Sequence, residues 1–501
     1  MSAPAARLPR LVGQDETKLI RLHPLEKLLL AVVAAQLVFL PWAVGGMRLW
    51  AQFISLGLSA ASLALALMPR HYTDEHTGGE AFTLYPLRRL LRFPLFWTGL
   101  VFAGYIVIGA LNPGWRYEHD GGRWWMREIP RISWLPHGVT GTPFDWASPW
   151  RTLIIFGAAF LLVCALWVGI TRRRSLQLLL LILCINAVLV ALLAITMRAT
   201  GATKLYWTWP SANLPYGPFV YRNHASAWLN LMIGATLALS ALFHERAQRV
   251  MAKSSPAPLI AFVAVFLGVV VAVSQSRGGF IALLVFLAAA LALAGVRQLR
   301  HRSTSRMLAI AALLGAGFIG FVALSFDSWG GAQAWQRFTR LFEDRDSSVT
   351  SRELATQATM DMWREAPWSG DGAASFRYVF PLYQQHYPDI YQHKSGRQTI
   401  RQVWEFAHND WAQMLAEYGV IGTGIAIAAI AWWLLALLRL RAWRYAPSLL
   451  LVFAVGMTLL HARGDFVLHN PAVLLSFVAV AVVSLRLAEF AHASARRTRS
   501  A

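Results

Sequence analysis

Long apolar runs alternate with short polar segments along the whole chain. Each run holds about 20 residues, the length an α-helix needs to cross the hydrocarbon core of a bilayer. The pattern predicts about twelve such spans, at 27–47, 50–69, 93–112, 151–171, 175–197, 222–243, 257–275, 279–297, 307–326, 412–438, 446–462 and 471–488. In lipid every backbone group must be bonded internally, so these runs are expected to be helices. The predicted fold class is an all-α polytopic membrane protein.

The loops between the runs differ in charge. One set is short and basic: "RRLLR" near 90, "TRRRS" at 171, "HERAQRVMAKS" at 244, "RQLRHRSTSR" at 297, "RLRAWR" at 439 and the tail "RRTRS". The positive-inside rule places this set, and both termini, in the cytoplasm. The other set is poor in Lys and Arg or long, and is expected on the outer face. Two outer loops stand out. Residues 113–150 are rich in Trp, Pro and Gly, and residues 327–411 mix acids, bases and aromatics. The second is too long for a plain connector. Leu354, Ala358, Met362 and Ala366 recur in it at helical spacing, so it is expected to form a small, partly helical layer. The expected organisation is a cytoplasmic tail (1–26), a bundle (27–326) interrupted by the 113–150 loop, the large loop 327–411, a second bundle (412–488) and a basic cytoplasmic tail (489–501).

Composition agrees with this picture. The chain has 501 residues, 56% of them hydrophobic and only 14% charged, with a formal net charge of +21. The Lys and Arg are spread over many short loops and not gathered on one arm, so nucleic acid is not an expected partner. Cys164 and Cys184 both fall inside apolar runs, and no structural disulfide is expected. The polar N-terminus has no cleavage-site pattern and reads as a retained tail.

Polar residues that break the pattern are the candidates for chemistry. Arg277 sits in "SQSRGG", a tiny outer hairpin, beside Gly278 and Gly279, whose lack of side chains lets a ligand approach the backbone. Arg222 opens a span in "FVYRNHASAW", where free N–H groups and the helix dipole favour an anion. Two guanidiniums on one membrane face suit a phosphate or diphosphate. For any single outer Arg, Arg463 included, a snorkelling interfacial anchor is the better reading, and it is the pair Arg222 and Arg277 that favours an anion site. Asn223 and His224, beside Arg222, are candidate substrate contacts or bundle hydrogen-bonders. The stretch "EFAHNDWAQM" places His408, Asn409 and Asp410 just before a span. Two roles are compatible there: Asn409 or Asp410 caps the helix, and His408 serves as a general base or is an incidental loop residue. Arg352 opens the amphipathic loop stretch and reads as a surface charge by default. His461, Asp465 and His469 form a weaker third group. No histidine–carboxylate spacing fits a metal site, and no metal or cofactor is inferred.

Four ordered blocks carry a family resemblance: "GPFVYRNHASAWLNLMIGATLAL", "SQSRGGFIALLVFLAAALAL", "SRELATQATMDMWREAPWSGDGAASF" and "HNDWAQMLAEYGVIG". In order and spacing they resemble the O-antigen ligase and polymerase superfamily, from about residue 150 onward. The resemblance implies a GT-C-like architecture in a bacterial inner membrane, with the active site facing the periplasm. It implies a glycan donor carried on undecaprenyl diphosphate, and a glycan or lipid A-core acceptor. Arg222 and Arg277 would hold the diphosphate, His408 would activate the acceptor hydroxyl, and Arg352 would contact sugar or phosphate. No nucleotide sugar or metal is required, because the lipid diphosphate is itself the leaving group. A polytopic transporter or flippase is the competing class. It is disfavoured because transporters place their polar groups near the bilayer midplane, whereas here they cluster at the outer face. A membrane scaffold would leave Arg277 and His408 without a role.

Overall fold

Backbone self-sufficiency in lipid makes helices of the apolar runs, and the computed structural model bears the pattern out. It describes residues 21–73, 81–120, 122–141, 148–211, 214–300, 347–395 and 398–500. The helices in chain order are α1 (Pro24–Trp42), α2 (Leu49–Leu67), α3 (Pro94–Leu111), α4 (Pro149–Gly169), α5 (Arg173–Ala199), α6 (Arg222–Arg249), α7 (Ala257–Val273), α8 (Arg277–Arg300), α9 (Ser347–Glu365), α10 (Asp410–Arg439), α11 (Ala446–His461) and α12 (Pro471–Ser500). Among the described residues, nine helices are long and apolar enough to cross a membrane, and α7 and α11 are shorter apolar helices. The expected span at 307–326 lies outside the described residues, as does the 327–346 part of the large loop. Every other expected span coincides with one of these helices.

A multi-pass membrane bundle follows. Its main apolar core joins α1, α4, α5, α6, α7, α11 and α12, with Leu162, Leu179, Trp228, Leu267, Leu451 and Leu475 fully buried. α6 is the central helix and is enclosed by its neighbours along much of its length.

One end of the bundle is locked by Glu26, which is fully buried. Its carboxylate accepts from Thr171 N (3.0 Å), Thr171 Oγ1 (2.5 Å), Arg172 N (3.1 Å), Ser175 Oγ (2.6 Å) and Tyr72 OH (3.1 Å). It therefore caps the start of α5 from α1, satisfying N–H groups that a helix start leaves open. This residue was placed in the N-terminal tail by the hydrophobic pattern, but α1 begins at Pro24 and includes it.

The other end carries the two long loops, and they are not purely helical. Among the described residues, three small sheets break the all-α expectation: β3–β5 (Pro113–Asp120, Arg123–Glu128, Gly138–Thr140, in the order β4-β3-β5) and β6–β7 (Gln392–Ser395 with Gln398–Arg401) in the two loops, and β1–β2 (Arg70–Tyr72 with Phe82–Leu84) at the Glu26 end, where Tyr72 meets that carboxylate. The two loops share one apolar cluster. Val139 of β5 packs with Ala355, Ala358 and Met362 of α9 and with Phe376, Phe380 and Trp404. The buried stripe of α9 runs through Ala355, Ala358, Thr359 and Met362, while Leu354 lies only at its edge.

This layer grips the membrane bundle at a break in α10. Gly419 has φ 59° and ψ −169°, a conformation open essentially to glycine alone. The segment 367–372 lies against the break: Val420 N bonds Pro367 O, Ile421 N bonds Trp368 O, and Gly372 N bonds Glu417 O. Backbone groups freed by the kink are thus satisfied by the loop, and the start of α10 is held in a fixed position beneath it.

Candidate functional site

The loop between α11 and α12 turns sharply after Ala462 and buries one carboxylate, Asp465, which is 1% exposed. Its Oδ1 accepts from His408 Nδ1 at 3.1 Å and from Phe466 N at 2.9 Å. Its Oδ2 accepts from the Asn223 carboxamide, lies 3.5 Å from the Tyr221 hydroxyl and sits 3.7 Å from the Arg352 guanidinium. Arg352 also donates to Gly464 O (3.0 Å) and to Tyr221 OH (3.3 Å). Burial pushes the Asp465 carboxyl up. The His408 hydrogen bond and the positive charge of Arg352 more than offset this, holding it well below the usual carboxylate range. Asp465 is therefore ionised.

A carboxylate only accepts, so His408 Nδ1 carries the proton. In the neutral ring this leaves the Nε2 lone pair free, which is the arrangement a general base needs. The ring is held edge-on to Trp404 (5.4 Å) and Phe466 (4.8 Å). The His408 backbone is left-handed, φ 53°, at a cost of roughly 1 kcal/mol. Neighbouring bonds hold it there. Asn409 Oδ1 caps α10 through Ala412 N (3.2 Å), Asp410 N bonds Ala462 O (2.8 Å), and Ala407 N bonds Gln413 Oε1 (3.0 Å). Of the two capping candidates, Asn409 is the cap.

Asp410 turns the other way. It pairs with His469 Nδ1 at 2.6 Å and accepts from Leu468 N at 2.9 Å. Gln413 links His469 (3.1 Å) to Glu417 (3.0 Å). Burial opposes a charge on His469, but Asp410 and then Glu417 outweigh it and raise its pKa. These polar groups close the loop-side end of a cavity of about 450 Å³ between α3, α4, α10 and α12. Arg151, Arg377 and Glu405 also line it, and most of the remaining wall is apolar, including Phe102, Phe156, Ile425, Trp433, Val478 and Leu485. Phe406 and Asp410, two residues either side of His408, both line it. Phe466 stacks on Phe406 (4.3 Å) and on Tyr221 (5.2 Å), and so stands between the cavity and the His408 cluster.

The remaining candidates come from the starts of α6 and α8. Asn223 reaches Asp465, and His224 lies one layer deeper, 3.2 Å from Phe466 O. Arg222 lines a separate small pocket with Arg198, Ser274 and Gln275. Arg277 begins α8. Gly278 and Gly279 there let the helix pass so close to His461 and Ser226 that a side chain would collide: a Cβ on Gly279 would lie 2.3 Å from Ser226 Oγ. The fold thus joins His408, Arg352 and Asn223 in one cluster. It sets Asp410 and His224 on either side, commits Asn409 to capping, and leaves Arg222 and Arg277 at two adjacent helix starts. Asp465 was visible in the sequence only within a weak polar group. Tyr221, Gln413, Glu417 and Arg198 were not singled out, and no spacing signal marks them.

Residues 260–427, a third of the chain, match a family model described as O-antigen ligase. Over that third the chain is similar to O-antigen ligases. The match covers Arg277, Arg352 and His408, whereas Arg222 and Asp465 lie outside it. No curated protein matches the chain. An O-antigen ligase-type segment within a bundle of membrane helices supports a protein of the membrane glycosyltransferase type. The described residues hold no group of three or more His, Cys, Asp or Glu fit to bind a metal.

Proposed function

We propose that this O-antigen ligase-type protein transfers a glycan from an undecaprenyl-diphosphate donor to an acceptor sugar hydroxyl on the periplasmic face of a bacterial inner membrane. The observation that carries this reading is the His408–Asp465 pair beside Arg352, separated from an apolar cavity of the helix bundle by the Phe466 and Phe406 rings. His408 Nε2 takes the proton from the acceptor hydroxyl. The acceptor oxygen forms its bond to the anomeric carbon from the side opposite the leaving group. The bond from that carbon to the diphosphate oxygen breaks, its electron pair leaves with the diphosphate, and the anomeric configuration inverts.

Each residue has a place in this scheme. Asp465 stabilises the imidazolium that forms and keeps Nδ1 protonated. Arg222 and Arg277 hold the diphosphate, and fixed cations facing developing charge supply what is usually the largest catalytic term. Arg352 contacts the incoming sugar or phosphate, a role supported by its one-third exposure beside Asp465. The apolar cavity takes part of the polyprenyl chain. The α9 layer roofs the site and excludes water, whose attack is the competing hydrolysis. The positive-inside rule supports the sidedness. The acceptor is a lipid A-core sugar or the end of a growing polymer, and no metal or cofactor takes part.

The test is transfer by the purified protein, given an undecaprenyl-diphosphate glycan and candidate acceptors. His408→Ala is expected to lose transfer. Undiminished activity of that variant removes His408 as the base. If no transfer occurs while lipid-linked glycan crosses proteoliposomes, the protein is a flippase instead.

A further inference from the structure

The small pocket at the ends of α5, α6 and α7 contains a residue the scheme above does not use. Arg198 occupies the last turn of α5 and lines the pocket together with Arg222, the first residue of α6. Thr203, Ser274 and Gln275 complete its polar wall, and none of its lining residues is acidic. The pocket holds about 120 Å³. A water needs about 10–15 Å³ of such space, so the pocket has room for a phosphoryl group. Among the described residues, the Arg198 guanidinium makes no hydrogen bond or ion pair.

The local backbone explains how the pocket is built. α5 ends in a tight turn, with Gly201 at φ 63° and Ala202 N bonded to Met197 O at 2.9 Å, which leaves Arg198 at the rim. Tyr216 closes the floor by bonding Val270 O at 2.6 Å. Gln275, at φ 59°, turns the chain from α7 toward Arg277 two residues on. Tyr221 precedes α6 with extended backbone, where alternate side chains share a side. Tyr221 and Asn223 both meet Asp465, while Arg222 lines this pocket. Two like charges in one small space repel. An oxyanion between them turns that repulsion into two charge-assisted contacts.

We infer that Arg198 and Arg222 together form a phosphoryl-binding pocket, and that Arg198 is a donor-binding residue contacting the lipid diphosphate. The inference rests on the transfer reading for the identity of the ligand, but not for the existence of the pocket. A phospholipid headgroup offers the same chemistry, so the test must separate the two sources.

The experiment uses the full-length protein in detergent, with inorganic pyrophosphate as the probe in calorimetric titration. Native mass spectrometry follows bound phospholipid in parallel. Arg198→Gln is expected to weaken pyrophosphate binding by roughly 10- to 100-fold, the loss of one charge-assisted contact. The donor KM rises by a similar factor. Arg198→Lys keeps the charge without the planar fork and is expected to fall between the two. Arg198 lies at a half-exposed helix end, and unchanged thermal unfolding will show that the variants are folded. Wild-type pyrophosphate affinity in Arg198→Gln overturns the inference. So does loss of bound phospholipid with pyrophosphate affinity and donor KM intact, which would make Arg198 a headgroup anchor. If Arg198→Gln loses pyrophosphate binding but even the wild type transfers no glycan, the pocket stands and the transfer reading falls. If His408→Ala abolishes transfer while Arg198→Gln changes nothing, the reverse holds.

Discussion

Asp465→Asn removes one charge and changes almost no volume, which makes it the sharpest probe of the His408 arrangement. An asparagine keeps one acceptor oxygen and turns the other position into a donor. If its NH₂ replaces Oδ2, it faces the Asn223 amide and the Arg352 guanidinium, both of which are donors. If it replaces Oδ1, it faces His408 Nδ1 and Phe466 N, and the imidazole must give up its Nδ1 proton. The proton then sits on Nε2 and the base is lost. The first orientation leaves buried donors unpaired, at about 1–3 kcal/mol each. The second removes general-base catalysis, worth about 10²–10⁴ in rate. Both orientations remove the charge that stabilises the imidazolium. The expected result is a fall in kcat of about 10²–10⁴, approaching the loss from His408→Ala. The assay is glycan transfer by purified protein under saturating donor, with thermal unfolding as a check on folding. A kcat within about twofold of wild type would falsify the assignment of Asp465 as the residue that orients the base, since that is far below the general-base contribution.

Other outcomes follow from the same structure. Gly419→Ala puts a Cβ 2.2 Å from Trp368 O at a backbone angle alanine avoids, so it should detach the outer layer from α10, read as faster proteolysis of residues 347–409; a wild-type cleavage rate contradicts the kink. Glu26→Gln replaces charge-assisted bonds to buried donors with weaker neutral ones, and the unfolding free energy should drop by about 1–3 kcal/mol, with an unchanged denaturant midpoint as the contrary result. The Asp465 pKa is lower in the folded protein than its ordinary 3.8, so its stabilisation is full above that value and is lost as pH falls below it; the acid-induced loss should be smaller in Asp465→Asn, and identical acid profiles would count against the pairing. Ala429→Trp partly fills the apolar cavity and should raise KM for a long-chain prenyl donor while sparing a short-chain analogue; equal effects on both would mean that the chain lies elsewhere.

Much of the membrane architecture is a local property and was legible in residue order. A span must be apolar over about 20 residues and bond its own backbone, so α1, α5, α6 and α12 could be read directly from runs such as 175–197. The cap at Asn409 was legible for the same reason, because capping acts over three residues. The small sheets were not, since strands of three to eight residues in polar loops carry little periodic signal. The break at Gly419 also sits inside a continuous apolar run, and only the loop segment 367–372 packed against it explains the break.

The site divides in the same way. Residue types and outer placement singled out His408, Arg352 and Asn223, and left each open between a chemical role and a bland one. Their meeting point is Asp465, which is 57 positions from His408 and 242 from Asn223 in the chain. No spacing rule spans such separations. Only the packing of α6, α10 and α11 brings those groups within hydrogen-bond distance. Burial then makes the meeting consequential. A carboxylate shielded from water fixes the tautomer of its histidine partner and holds a nearby guanidinium. The same side chain in an exposed loop would do neither.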